Sequence, residues 1–136
     1  AAREATWARW TDVAAWPAWN PMCAEAILHG PLAEGAQLEL NLVHPRGKGR
    51  TFWTRPRVVE VAAPERVAWE AVGPGLTIRT ETTLAEEPDG TLLTLTSATT
   101  GRFAISMKLM ALGDRTLARM YAAMLNALVA DMGRVA

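Results

Sequence analysis

Between residues 35 and 100 apolar side chains recur at every second position, whereas before and after that stretch the recurrence lengthens to three and four residues. No other feature limits the fold so strongly, because a period of two belongs to strands and one of about 3.6 to helices. Leu38, Leu40 and Leu42 point one way while Gln37, Glu39 and Asn41 point the other. Leu76, Ile78, Thr80, Thr82 and Leu84 alternate in the same manner against Thr77, Arg79, Glu81 and Thr83. Strands of this kind have one covered and one wet face, the pattern of an antiparallel sheet joined by hairpins. Turn residues divide the region at His44-Pro45-Arg46-Gly47-Lys48-Gly49, Ala63-Pro64-Glu65, Gly73-Pro74-Gly75 and Glu86-Glu87-Pro88-Asp89-Gly90. The expected strands run from 23 to 28, from Gly35 onward, from 50 to 61 with Pro56 marking an edge or a bulge, from 66 to 72, from 76 to 84 and from 91 to 100.

The flanks read as helices. Residues 2–11 favour one, with Trp7, Trp10 and Ala14 on its apolar face and Trp16-Pro17 as its stop. After Gly101 a longer helix starts near Asp114, places Leu117, Met120, Tyr121, Met124, Leu128 and Met132 on one face, and stops at Gly133. Helix, successive strands, long helix is an α+β order. A sheet with one apolar face can close over a final rod about 30 Å long as a hand grips a bar. No repeat or linker divides the 136 residues, so 1–136 is expected to be a single domain.

Charge and cysteine content exclude several classes. Lys+Arg and Asp+Glu both total 14, so no net field draws the chain to nucleic acid or to an anionic membrane. Cys23 is the only cysteine, which rules out an internal disulfide. No apolar run is long enough for a membrane span, and the first ten residues lack the regions of a signal peptide. A cytoplasmic, membrane-free protein is expected. The first residue is alanine, so either the initiator methionine was removed or the sequence starts downstream of the natural start.

Few residues carry reactive chemistry. His29 and His44 have no Cys or carboxylate at metal-ligand spacing, so no metal is expected. Cys23 lies among Met22, Ala24 and Glu25 and reads as a small core residue. No serine sits in a nucleophile elbow, and Gly47-Lys48-Gly49 lacks the setting of a phosphate loop. Arg46, Lys48, Arg50, Arg55 and Arg57 form a locally basic stretch around Phe52 and Trp53, which reads as a solvated hairpin rather than an RNA platform. Trp7, Trp10, Trp16, Trp19, Trp53 and Trp69 could stack on a ligand or pack as core and lid. Met107, Met110, Met120, Met124 and Met132 likewise suit either a pocket or ordinary packing.

A resemblance narrows these choices. The opening run carries Glu4, Trp7, Trp10-Thr11-Asp12-Val13, Trp16-Pro17 and Trp19-Asn20-Pro21. Further on, Gly35 opens a strand, Val58-Val59-Glu60-Val61-Ala62-Ala63-Pro64 leads into Arg66-Val67-Ala68-Trp69, and Pro88-Asp89-Gly90-Thr91 makes a hairpin before the closing helix. In these features nearly the whole chain resembles the polyketide cyclase/dehydrase-like branch of the START/birch-pollen-allergen (SRPBCC) superfamily. The resemblance implies the helix-grip fold, a curved antiparallel sheet wrapped around a long C-terminal helix, with short N-terminal helices and an apolar cavity. It also implies a strand ahead of the first helix, paired with the last strand of the sheet. Here the chain begins at the helix, so the 91–100 strand has an open edge; the missing strand was trimmed or is supplied by another chain.

The function that follows is binding of a small apolar molecule, such as a lipid, isoprenoid or polyketide-like compound, between the C-terminal helix and the sheet, as carrier or sensor. Its expected walls are Leu40, Trp69, Ile78, Leu95, Met120, Tyr121 and Met124, with Thr80, Ser97 or Tyr121 orienting the ligand by hydrogen bonds. No cofactor is required, and the assembly is a monomer or homodimer. A pocket below about 150 Å³ would contradict this reading. The alternative is a cyclase or dehydratase in the same cavity, but Thr80, Thr82, Ser97, Thr99, Tyr121, Glu60 and Arg55 offer no evident inward acid and base pair. The faces used by Phe52, Trp53 and Glu60 stay open. A second alternative is a protein-interaction module, recognisable by an exposed patch of Trp16, Trp19 and Phe103.

Overall fold

Cross-strand pairing turns the alternating segments into a curled antiparallel sheet of 7 strands. The computed structural model describes residues 2–43, 49–101 and 114–135. The readings on His44, Arg46, Gly47, Lys48, Phe103, Met107 and Met110 lie outside the described residues, as does the side chain of Leu117. The strands are β1 Cys23–His29, β2 Gln37–Val43, β3 Thr51–Thr54, β4 Arg57–Ala62, β5 Arg66–Gly73, β6 Leu76–Glu87 and β7 Gly90–Thr100. They lie side by side as β1-β2-β4-β5-β6-β7, with β3 paired to β2 beside this path. Among the described residues β7 has β6 on one side and no strand on the other.

The stretch expected as one strand from 50 to 61 is two. Pro56 lacks an N–H, and the chain leaves the ladder at Arg55 and Pro56, so β3 stays with β2 while β4 moves on to β5. A register shift between Val58 and Glu60 then reverses the alternation. Val58 pairs with Trp69 and Val61 with Val67, while Glu60 sits opposite Ala68. The faces left open are thereby resolved: Phe52 turns inward, Trp53 is 43% exposed, and Glu60 lies on the outer face.

The N-terminal segment also departs from expectation. Helix α1, Arg3–Thr11, ends before Ala14, which is exposed; a 3-10 turn, Val13–Ala15, follows, and Trp16–Trp19 forms α2. Pro17 therefore does not stop a helix but starts one, a position where its missing N–H costs nothing. The result folds Trp10, Trp16 and Trp19 into one buried cluster, all 6% exposed or less. Trp10 lies 4.8 Å from Trp16 and 6.2 Å from Trp19 between ring centroids, and the Trp16 indole Nε1 donates to the Trp10 carbonyl at 2.8 Å.

Helix α3, Asp114–Val135, runs through Gly133, which is not its stop. Its inward face is Met120, Met124 and Leu128, as the four-residue spacing requires. Arg9 ties α1 to this helix, donating from Nε to Asp131 Oδ2 at 2.5 Å and from Nη2 to Oδ1 at 3.0 Å. No helix among the described residues is long and apolar enough to cross a membrane.

Candidate functional site: an apolar cavity under the tryptophans

The inward residues of neighbouring strands face one another in register, and that places the cavity. Leu40 is opposite Thr54 and Leu42 opposite Phe52; Trp69 is opposite Thr80, Ala71 opposite Ile78, and Thr82 opposite Leu95. Helix α3 lays Met120, Tyr121 and Met124 across this floor, and Trp10 and Trp16 close one end. Between them remains a half-open hollow of about 120 Å³. Leu40, Leu42, Phe52, Thr54 and Pro56 form one side of it; Trp69, Ala71, Ile78, Thr80 and Leu95 form the other.

Eight of the nine sequence-predicted residues thus surround one space: Leu40, Trp69, Ile78, Thr80, Leu95, Met120, Tyr121 and Met124. Ser97 does not reach it. It sits opposite Thr80, half-buried, with a buried Oγ that has no hydrogen-bond partner among the described residues. Thr82 is fully buried beside it in the same condition. Thr99 is likewise not on the wall. Sequence reasoning left Trp10 and Trp16 undecided between pocket and core and the face of Phe52 open, and it missed Leu42, Thr54, Pro56 and Ala71 as wall residues. Leu42 and Ala71 were within reach, two positions along their strands from Leu40 and Trp69. Phe52, Thr54 and Pro56 were hidden by the break at Pro56, and Trp10 and Trp16 by the turns that fold them back.

The size corrects an expectation. About 120 Å³ falls below the 150 Å³ floor set for a lipid, isoprenoid or polyketide-like ligand, so a ligand of that bulk does not fit this hollow as it stands. The side chains nevertheless leave space. The described wall is mostly apolar and carries no ionic side chain; its polar side-chain groups are the hydroxyls of Thr54, Thr80 and Tyr121 and the indole N–H groups of Trp10, Trp16 and Trp69.

The ionisable candidates lie elsewhere. Glu60 faces outward, 3.3 Å from Arg66 and 3.1 Å from Arg79, within a charged layer that includes Glu70 and Glu81. Arg55 pairs with Glu39 at 3.0 Å and stands over the exposed Trp53 ring. His29 contacts the same carboxylate at 2.8 Å, and hydrogen bonds from His29 first and Arg55 second hold Glu39 below the usual carboxylate range. Burial pushes the Cys23 thiol from about 9.0 to about 11, against a weaker opposing hydrogen bond to Glu25, so it is not a thiolate at neutral pH. Trp16 and Trp19 are buried, and the exposed patch they were to form is not there. Among the described residues no three His, Cys, Asp or Glu side chains could hold a metal ion.

A curled sheet gripping a C-terminal helix around an apolar hollow defines the helix-grip fold. The chain belongs to the polyketide cyclase / dehydrase and lipid transport family, whose sequence profile matches residues 1–133. No curated protein matches the sequence. Solved structures share its fold at low identity. A START superfamily protein from Mycobacterium smegmatis superposes with a TM-score of 0.78 at 16% identity, covering 100% of this chain and 92% of that one. A protein from Rhodobacter sphaeroides gives 0.78 at 19% identity, covering 100% and 88%. The di-domain ARO/CYC StfQ from the steffimycin biosynthetic pathway gives 0.72 at 13%, covering 93% of this chain; the match spans only 46% of StfQ, about half its length.

Proposed function

We propose that the domain binds a small, uncharged, apolar molecule in the cavity beneath Trp10 and Trp16, as a carrier or sensor. The observation that carries this reading is a half-open space of about 120 Å³ whose described wall is nearly all apolar. Water in such a space finds few partners, and an apolar occupant gains roughly 25 cal/mol for each Å² removed from water. The hydroxyls of Thr54, Thr80 and Tyr121 can orient one polar end. The family's range, which includes both polyketide cyclases and lipid transport, supports a ligand cavity at this place.

A cyclase or dehydratase is the alternative. Enolising a carbonyl needs an acid and a base held in fixed positions. On the described wall Tyr121 has no carboxylate or imidazole beside it, and Glu60 and Arg55 have turned outward, which favours binding over turnover. Native mass spectrometry of protein purified from its own host, with extraction of what copurifies, tests the proposal. An adduct of low mass released by organic solvent is the expected outcome; bare protein in every preparation counts against a carrier.

A further inference from the structure

The cavity's dimensions say more than that its occupant is apolar. An apolar cavity of about 150 Å³ accommodates a benzene ring, whereas pockets for drug-sized ligands span roughly 300–1,000 Å³. At about 120 Å³ this space is no larger than such a one-ring cavity, and its open side lets part of an occupant reach the mouth. A charged group inside it would lose its hydration without finding a counter-ion on the described wall. Met120 and Met124, one turn apart on α3 and 6% and 4% exposed, stand over a floor made by Leu40 and Trp69.

We infer that this is a one-ring site: it takes an uncharged molecule the size of a substituted benzene, and Met120 and Met124 are the residues that turn away fused rings and long chains. The inference rests on the ligand-binding reading above and fixes the class of ligand. Close-packed interiors resist added volume, and forcing a second ring past two buried thioethers displaces side chains or backbone. Truncating either methionine removes that obstacle while leaving the aromatic end of the cavity intact. Neither change touches Thr54, Thr80 or Tyr121.

Calorimetric titration of the full chain with 4-ethylphenol, 1-naphthol and palmitate tests it. For the unmodified protein, 4-ethylphenol should bind at least tenfold more tightly than either of the others. Met124→Ala should raise the affinity for 1-naphthol tenfold or more and lower that for 4-ethylphenol; Met120→Ala should act in the same direction. Met124→Leu, which keeps the volume, should preserve the original order. Circular dichroism of each variant verifies folding, and if Met124→Ala does not fold the comparison stands on Met120→Ala and Met124→Leu. Equal binding of all three probes to the unmodified protein, or an order that neither truncation alters, overturns the one-ring inference alone. No heat with any probe from a folded protein overturns it together with the ligand-binding reading.

Discussion

Helix α3 borders two hollows of opposite character. The cavity under the tryptophans measures about 120 Å³ and is lined by buried Trp10, Trp16, Met120 and Met124. The other lies between the open edge of β7 and the far half of the same helix, measures about 500 Å³, and is lined by Leu92, Leu93, Leu125, Leu128, Val129 and Met132. Its volume is larger, but Leu92 is 50% exposed and Val129 70% exposed. Those side chains stand open to solvent, so an occupant would itself stay largely in contact with water and bury little of its own surface. The smaller hollow owes its character to the turns from Thr11 to Trp19, which fold indoles over one end of the sheet. Burial of the lining side chains, more than volume, separates a candidate site from a groove.

Three experiments probe that contrast. The largest effect is expected for Trp10→Ala, which removes the indole that touches Trp16, Trp19 and Trp69 at once. Loss of about 3–5 kcal/mol in denaturant unfolding, with loss of cavity binding, is the outcome; a near-neutral variant would show that the cluster is not what closes the cavity. Arg9→Met comes next. It leaves Asp131, only 12% exposed in its side chain, without its arginine. Because Arg9 itself is 30% exposed, the cost should be about 1–2 kcal/mol rather than that of a fully buried pair. Adding Asp131→Leu should recover part of it in a double-mutant cycle. Smallest of all, Leu92→Ser with Val129→Ser should shift the unfolding midpoint by no more than about 0.5 kcal/mol per site and leave 4-ethylphenol binding unchanged. If that pair abolished binding, the two hollows would have to exchange roles.

Legibility in the sequence followed the strength of periodic signals. The alternation of Leu38, Leu40 and Leu42, and that of β6, assigned inner faces correctly because a side chain two positions along a strand returns to the same side. Four-residue spacing did the same for Met120, Met124 and Leu128. Periodicity failed where the chain broke its own rule. Pro56 split a strand and Val59 reversed the parity, so Phe52, Trp53 and Glu60 could not be placed from spacing. Pro17 was read as a stop although its position begins a turn.

The amino-acid order by itself determined the element types, the α+β sequence of layers and eight of the residues that come to face one hollow. Only the tertiary structure decided how much room they leave, that Trp10 and Trp16 close it, that Glu60 stands outside, and that Ser97 falls short. The reason is physical: repeating patterns report which way a side chain points relative to its own strand or helix. The volume between two packed elements depends on bends and close contacts that no single element contains.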